Sequence, residues 1–289
     1  MTDAVLVTGA TGFIGTHLVT AIRAQGREVV TLSSRDGDIA RLDIDREGVG
    51  HVVHLAGKCY VPGSWSAPRE YYETNVLGTV NVLEFCRRHR TPITYVSSYV
   101  YGVPQRLPID ETHPRQPTNP YSHSKIVAED VVAYYAAQFG VRSAVVRPFN
   151  VYGPGQDERF VVPTVVRQAL DPRNDRIVVT DERPKRDFLF IADLVSLLIT
   201  MLSTDAGGAY NAGSGTSVSI GALVDEVNAV LPVPKRLESA HHERQAELFD
   251  VVADISRARR ELKWQPQVSL RDGVRRTMEW AGSRVGEQR

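Results

Sequence analysis

The stretch VTGATGFIG, Val7 to Gly15, decides how this chain folds. It sets Gly9, Gly12 and Gly15 three residues apart, after the aliphatic run AVLVT and at the head of FIGTHLVTAIRAQG, which has helical spacing. A strand that turns tightly into a helix needs glycine at the turn. Close approach of the backbone to a pyrophosphate needs a second, and close packing of the helix on its strand a third. The free N–H groups of the first helical turn and the positive end of the helix dipole then attract phosphate. The glycine spacing alone also suits a plain strand-to-helix turn; its strand and helix context points to dinucleotide binding. The candidate contacts are Gly9, Thr11, Gly12, Phe13, Ile14 and Gly15.

Outward from this loop the first half of the chain alternates. EVVTL, HVVHLA (His51 to Ala56), ITYVSS (Ile93 to Ser98) and SAVVRP read as strands. Helices are expected up to a cap at Gly26, from about Arg69 to Arg90, and after Asn119-Pro120, where Asn caps and Pro takes the first helical position. Strands alternating with helices predict a parallel sheet covered on both faces, joined by right-handed crossovers. The fold class is therefore α/β, a Rossmann-type doubly wound parallel sheet over residues 1–150. Only 18 residues separate Leu32 from His51. There ARLDI is read as a short third strand, with no proper second helix. Past Asn150 the elements become short and irregular. This predicts a smaller C-terminal α+β substrate lobe over 151–289, with RDFLFIADLVSLL and residues 187–204 returning to the first domain.

Composition narrows the function. Lys plus Arg and Asp plus Glu both number 34, so no net field draws nucleic acid or an anionic membrane, and phosphate must be bound by local groups. The two cysteines, Cys59 and Cys86, form no disulfide framework and have no metal-ligand spacing, so no metal is expected and a reducing cytoplasm fits. A strand starting at Ala4 leaves no room for a signal peptide, and LVSLLITML is too short to span a bilayer.

Two further stretches carry chemistry. Dinucleotide folds place an acid about 20 residues past the loop for the ribose hydroxyl, or an Arg nearby for a 2′-phosphate. Eighteen residues past Gly15 stands Ser33, followed by Ser34 and Arg35. Two hydroxyls and a guanidinium suit the phosphate of NADP, while Asp36 and Asp38 just beyond keep NAD as an alternative. YSHSK puts Tyr121 and Lys125 on one face at the start of a helix. An ammonium and a helix N-terminus beside a phenol both favour phenolate, so Tyr121 is expected to exchange a proton near neutral pH. YVSSYVYG adds hydroxyls at the carboxyl end of a central strand, where ligands of open α/β sheets sit.

With these motifs the chain resembles the extended short-chain dehydrogenase/reductases, in their nucleotide-sugar epimerase/dehydratase/reductase group. The matching stretches are VTGATGFIG, HLAG, TNVLGTVNVLE, YVSS with VYG, YSHSK, RPFNVYGPGQ, RDFLFIADL and YNAGSG, with ADISRARRELKW similar to the group's C-terminal signature. The resemblance implies a triad. Ser97 would hold the sugar oxygen, Tyr121 would be the acid/base, and Lys125 would bind the nicotinamide ribose and tune Tyr121. It implies cofactor contacts at Asn75, Asp43, Ile44, Leu55, Ala56, Gly57 and Pro148, and substrate contacts at Ser98, Asn150, Arg186 and Arg244.

The reaction follows from departures. The sugar 4,6-dehydratases of this group carry Asp-Glu where this chain has Ser98-Tyr99, which disfavours elimination. A fucose-forming epimerase-reductase uses a Cys where Tyr99 stands. The resemblance is nearest to NADPH-dependent reductases of nucleotide-activated 4-keto-6-deoxyhexoses. A 4-epimerase retaining NAD is the alternative, and a dinucleotide-binding regulator without turnover a distant third. The group often dimerises through two helices, here about Arg69–Arg90 and Pro120–Gln138, so a homodimer is expected.

Overall fold

A computed structural model describes residues 4–241 and 248–287. The chain opens with β1 (Ala4–Thr8), α1 (Phe13–Ala24), β2 (Val29–Leu32) and β3 (Val49–His54). Helices α2 (Val61–Ser66), α3 (Pro68–Tyr72) and α4 (Gly78–His89) follow, the last two joined by a π-helical turn, Glu73–Leu77, so that one rod replaces the single helix expected there. Then come β4 (Ile93–Val96), α5 (Pro120–Phe139) and β5 (Ser143–Pro148). These strands and a later one, β9 (Gly208–Ala212), form a six-stranded sheet in the order β2-β1-β3-β4-β5-β9, parallel throughout. The order reverses between β1 and β3, the switch point where such sheets bind ligands.

The third strand expected at ARLDI does not form. The backbone turns instead: Asp38 Oδ1 accepts from Ala40 N at 3.0 Å, and Asp38 O from Arg41 N at 2.9 Å and Leu42 N at 2.8 Å. The carbonyls of Ile39 and Leu42, which a strand would give to a neighbour, accept from Asn81 Nδ2 at 2.8 and 2.7 Å. Ile39 and Leu42 still pack on the apolar layer between the sheet and α4 and α5, so the segment keeps its hydrophobic anchor without a ladder.

The rest of the chain runs β6 (Asn150–Tyr152), α6 (Val161–Leu170), β7 (Arg176–Val179), β8 (Lys185–Phe190), α7 (Ile191–Met201), β9 (Gly208–Ala212), β10 (Ser217–Ser219), α8 (Ile220–Asn228), β11 (Arg236–Ser239), α9 (Ser256–Leu262) and α10 (Leu270–Glu287). Helix α7 packs on α1, and β9 joins the parallel sheet beside β5. Residues 187–190 do not return to that sheet: β8 pairs with β6 and β10 in a separate three-stranded sheet. A further pair, β7 with β11, packs near α6.

Candidate active site

Carboxyl ends of β1, β3, β4 and β5 open onto one cavity of about 600 Å³. Its floor is the glycine loop. Gly9 has φ +69°, and a Cβ there would lie 2.7 Å from Ala56 N, so only glycine fits between the two loops. A Cβ on Gly15 would collide with the Gly9 carbonyl. Helix α1 starts at Gly12 with no side-chain cap and no acid in its first turn, which leaves its N–H groups for an anion. Gly9, Gly12, Phe13, Ile14, Gly15, Leu55, Gly57 and Pro148 border the cavity. Thr11 is exposed, and Ala56 stands behind the lining.

Asn75, expected as a cofactor contact, lies in the π-helical turn Glu73–Leu77. It is buried and does not border the cavity. Its Oδ1 accepts from Lys58 N at 2.8 Å, and its Nδ2 donates to Lys58 O at 3.1 Å and to Ser124 Oγ at 2.9 Å. The amide is spent on holding the β3 loop against helix α5.

At the end of β2 the donors are partly occupied. Ser33 N and Ser33 Oγ both donate to Asp36 Oδ2, at 2.8 and 3.0 Å, and these bonds lower the Asp36 pKa. Arg35 N donates to Ser33 Oγ at 3.2 Å. Ser33, Ser34 and Arg35 lie next to the glycine loop but outside the cavity lining, as do exposed Asp43 and buried Ile44. The carboxylate at this strand end belongs to Asp36, so the phosphate site expected from Ser33, Ser34 and Arg35 contains an acid.

Helix α5 carries Tyr121 and Lys125, the pair expected to be catalytic. Asn119 and Ser122 form a reciprocal cap, Ser122 N donating to Asn119 Oδ1 at 2.8 Å and Asn119 N to Ser122 Oγ at 3.2 Å, with Pro120 in the first turn. This fixes Tyr121 and Lys125 on the cavity side, where Ser97 and Ser98 from the end of β4 meet them. Ser97 Oγ is buried and has no hydrogen-bond partner among the described residues. Lys125 Nζ donates to Val96 O at 2.8 Å and stands 4.4 Å from the Tyr95 ring centroid. Burial lowers the Lys125 pKa to about 8, against the opposing pull of Glu129 one turn on.

Two influences act on the phenol. Burial raises the Tyr121 pKa above its ordinary value; Cys59 adds to the rise, and Ser98 only partly counters it. The Lys125 ammonium, whose charge would favour phenolate, donates to Val96 O. Behind the pair lies an ion pair that the motifs did not signal. Arg147 Nη2 meets Glu129 Oε2 at 2.6 Å, and Arg147 Nη1 donates to Tyr101 at 3.0 Å.

Across the cavity, Asn150 borders the space and donates to Asp187 O at 3.4 Å. Arg186 Nη1 donates to Leu248 O at 2.5 Å; Leu248 borders the cavity, whereas Arg186 does not. Arg244 lies outside the described residues. Sequence reading missed several lining groups: Cys59, Gln156, and Arg159, whose guanidinium carbon stands 4.1 Å from the Tyr60 ring centroid. Nothing in the spacing of Cys59 places it beside Tyr121, where the fold brings it. Among the described residues no cluster of three or more His, Cys, Asp or Glu could hold a metal, and no helix is long and apolar enough to cross a membrane.

Comparison with known proteins agrees with this geometry. The family model described as "NAD dependent epimerase/dehydratase family" matches residues 5–213. A putative UDP-glucose 4-epimerase of Methanocaldococcus jannaschii is 30% identical, over 96% of this chain and 97% of its own length. A GDP-6-deoxy-D-mannose reductase of Pseudomonas aeruginosa is 31% identical over 100% of both. The solved structure of TunA, an NAD-dependent NDP-hexosamine 5,6-dehydratase of tunicamycin biosynthesis, superposes with a TM-score of 0.89 at 30% identity, covering 97% of this chain and 98% of that one.

Proposed function

The chain belongs to the NAD dependent epimerase/dehydratase family, and from that membership we propose that it reduces the C4 keto group of a nucleotide-activated 4-keto-6-deoxyhexose with NADPH. The observation that carries this reading is the grouping of Ser97, Tyr121 and Lys125 around one cavity beside the glycine loop. Reduction needs one acid at the carbonyl oxygen, and the Tyr121 phenol is the group placed to supply it. The Asp-Glu pair of dehydratases is replaced by Ser98 and Tyr99, and Tyr99 is committed to Gly102 O at 2.5 Å.

The cradle fits a dinucleotide. Gly9, Gly12 and the uncapped start of α1 would hold its diphosphate, with Leu55, Gly57 and Pro148 as walls. When bound, the dinucleotide supplies hydride. The chain's own residues do the remainder: Ser97 Oγ orients the carbonyl oxygen, Tyr121 gives it the proton, and Lys125 is the nearby cation that stabilises the tyrosinate left behind. A second reading, an NAD-retaining 4-epimerase, is favoured by one feature. The Asp36 carboxylate on Ser33 stands where an acid would bond ribose hydroxyls.

Helix α5 carries exposed Tyr134 and Phe139, and the π-helical turn carries exposed Leu77; these would serve the homodimer. The reading is tested by converting Tyr121 to Phe and assaying NADPH oxidation with nucleotide 4-keto sugars. Turnover should fall at least about 100-fold with NADPH affinity unchanged. Retained turnover removes Tyr121 from its role, and tightly bound NAD in the purified protein replaces reductase by epimerase.

A further inference from the structure

Two buried polar atoms that find no hydrogen-bond partner belong to residues lining the active-site cavity: Ser97 Oγ, already placed, and Gln156 Oε1. Gln156 follows β6 in the loop that overhangs the glycine loop. Its backbone N–H donates to Gly153 O at 3.2 Å, and its Nε2 donates to Val151 O at 2.7 Å. The amide orientation is thereby set, because the flipped form would bring two carbonyl oxygens together. The loop is tied from behind by the His17 Nε2 hydrogen bond with Pro154 O at 2.8 Å. In front, Arg159 pairs with Asp157 at 2.6 Å and stacks over Tyr60. The Gln156 oxygen is therefore a fixed acceptor, withdrawn from water, in a wall that also contains Ser97.

A buried acceptor of this kind is costly unless a ligand donates to it. A diphosphate offers acceptors and no donors at neutral pH, so it cannot satisfy Gln156. A hexose ring offers hydroxyls; a dinucleotide's riboses and carboxamide also donate, and the NADPH measurement below separates the two sources. We propose that Gln156 is a sugar-binding residue, its Oε1 accepting a hydrogen bond from a ring hydroxyl or amide N–H of the nucleotide sugar. This rests on the reading of the cavity as a nucleotide-sugar site, and adds to it the demand that the sugar present a donor beyond the oxygen held by Ser97 and Tyr121.

The test uses Gln156→Met, close in shape but without an acceptor, and Gln156→Lys, which keeps a donor for Val151 O. Dissociation constants are measured by calorimetry on the full chain for UDP-glucose, GDP-mannose, free UDP, free GDP and NADPH. Both variants should bind the preferred nucleotide sugar about tenfold more weakly, with the free diphosphate and NADPH unchanged. Cys59 provides a second readout, since it is exposed and lines the cavity while Cys86 is buried. Nucleotide sugar should slow alkylation of Cys59 by iodoacetamide in the parent, and the variants should need about tenfold more ligand for the same protection. Unchanged sugar affinity, or an equal loss for the free diphosphate, overturns the assignment while leaving the nucleotide-sugar reading intact. A parent that binds neither sugar nucleotide and gains no protection of Cys59 overturns both, and unchanged NADPH binding shows that the variants are folded.

Discussion

Glu129→Gln should be among the most damaging conservative changes in this protein. The two side chains of the Glu129–Arg147 pair are 3% and 7% exposed. Arg147 Nε reaches both carboxylate oxygens, at 3.1 and 3.2 Å, and Nη2 reaches one at 2.6 Å, so the contact is a forked, charge-assisted pair. Exposed pairs contribute roughly 0–1 kcal/mol, but removing one partner of a buried pair strands the other charge and costs about 3–5 kcal/mol. Arg147 retains Tyr101 and Glu111 O as acceptors, neither of them an anion, so the loss should lie within that range. Urea unfolding of parent and variant measures it. A second effect should appear at Lys125. Glu129 is the leading group that supports the ammonium, so its removal should shift Lys125 further below about 8. The alkaline fall of kcat/KM should then move to lower pH. Replacing both partners, Glu129→Leu with Arg147→Met, should recover much of the stability. A loss below about 1 kcal/mol in Glu129→Gln, with an unmoved pH profile, would refute the reasoning.

Burial holds the imidazoles of His51 and His54 neutral, with pKa values lowered from 6.5 to about 4 and about 3. The unfolded chain binds these protons first, so stability should fall as pH drops below 6.5, by about 1.4 kcal/mol per pH unit for each histidine until the folded pKa is reached. His51→Gln should flatten that slope, and an identical slope would exclude His51. Arg35→Ala should weaken NADPH at least tenfold more than NADH, and Asp36→Asn should shift preference toward NADPH; equal effects on both cofactors would place 2′-phosphate recognition elsewhere. Asn81→Ala frees the Ile39 and Leu42 carbonyls and should cost about 1–2 kcal/mol, with faster proteolysis confined to the loop before β3. Unchanged stability and cleavage would show that the apolar anchors hold the loop unaided.

The parallel sheet was legible because its rules are local. A glycine triplet after an aliphatic run, and Asn-Pro before a helix, act within a few residues. The segment after β2 was not, because ARLDI has strand-like composition while the Leu42 carbonyl within it and the Ile39 carbonyl just before it are satisfied by Asn81, about 40 residues away. Strand β9 was missed for a related reason: five residues, Gly208–Ala212, become a strand only by lying beside β5. At the candidate site, the meeting of Tyr121, Lys125 and Ser97 around one cavity could be expected from spacing. The direction in which burial moves the Tyr121 pKa could not, because desolvation depends on everything packed around the phenol, Cys59 included. Gln156 ends the RPFNVYGPGQ stretch, but its open acceptor is visible only once the fold shows which of its two amide atoms already has a partner.

The Asn75 amide also sets how the cavity receives a ligand. It binds the Lys58 peptide on one side and, through Ser124 Oγ, which donates to Tyr121 O at 2.7 Å, the first turn of the catalytic helix on the other. The wall that bears Cys59 and the helix that bears Tyr121 are therefore held at a fixed separation before anything enters. Ordering that side is part of the folding free energy rather than of each binding event, so a substrate loses less affinity to immobilising its own receptor.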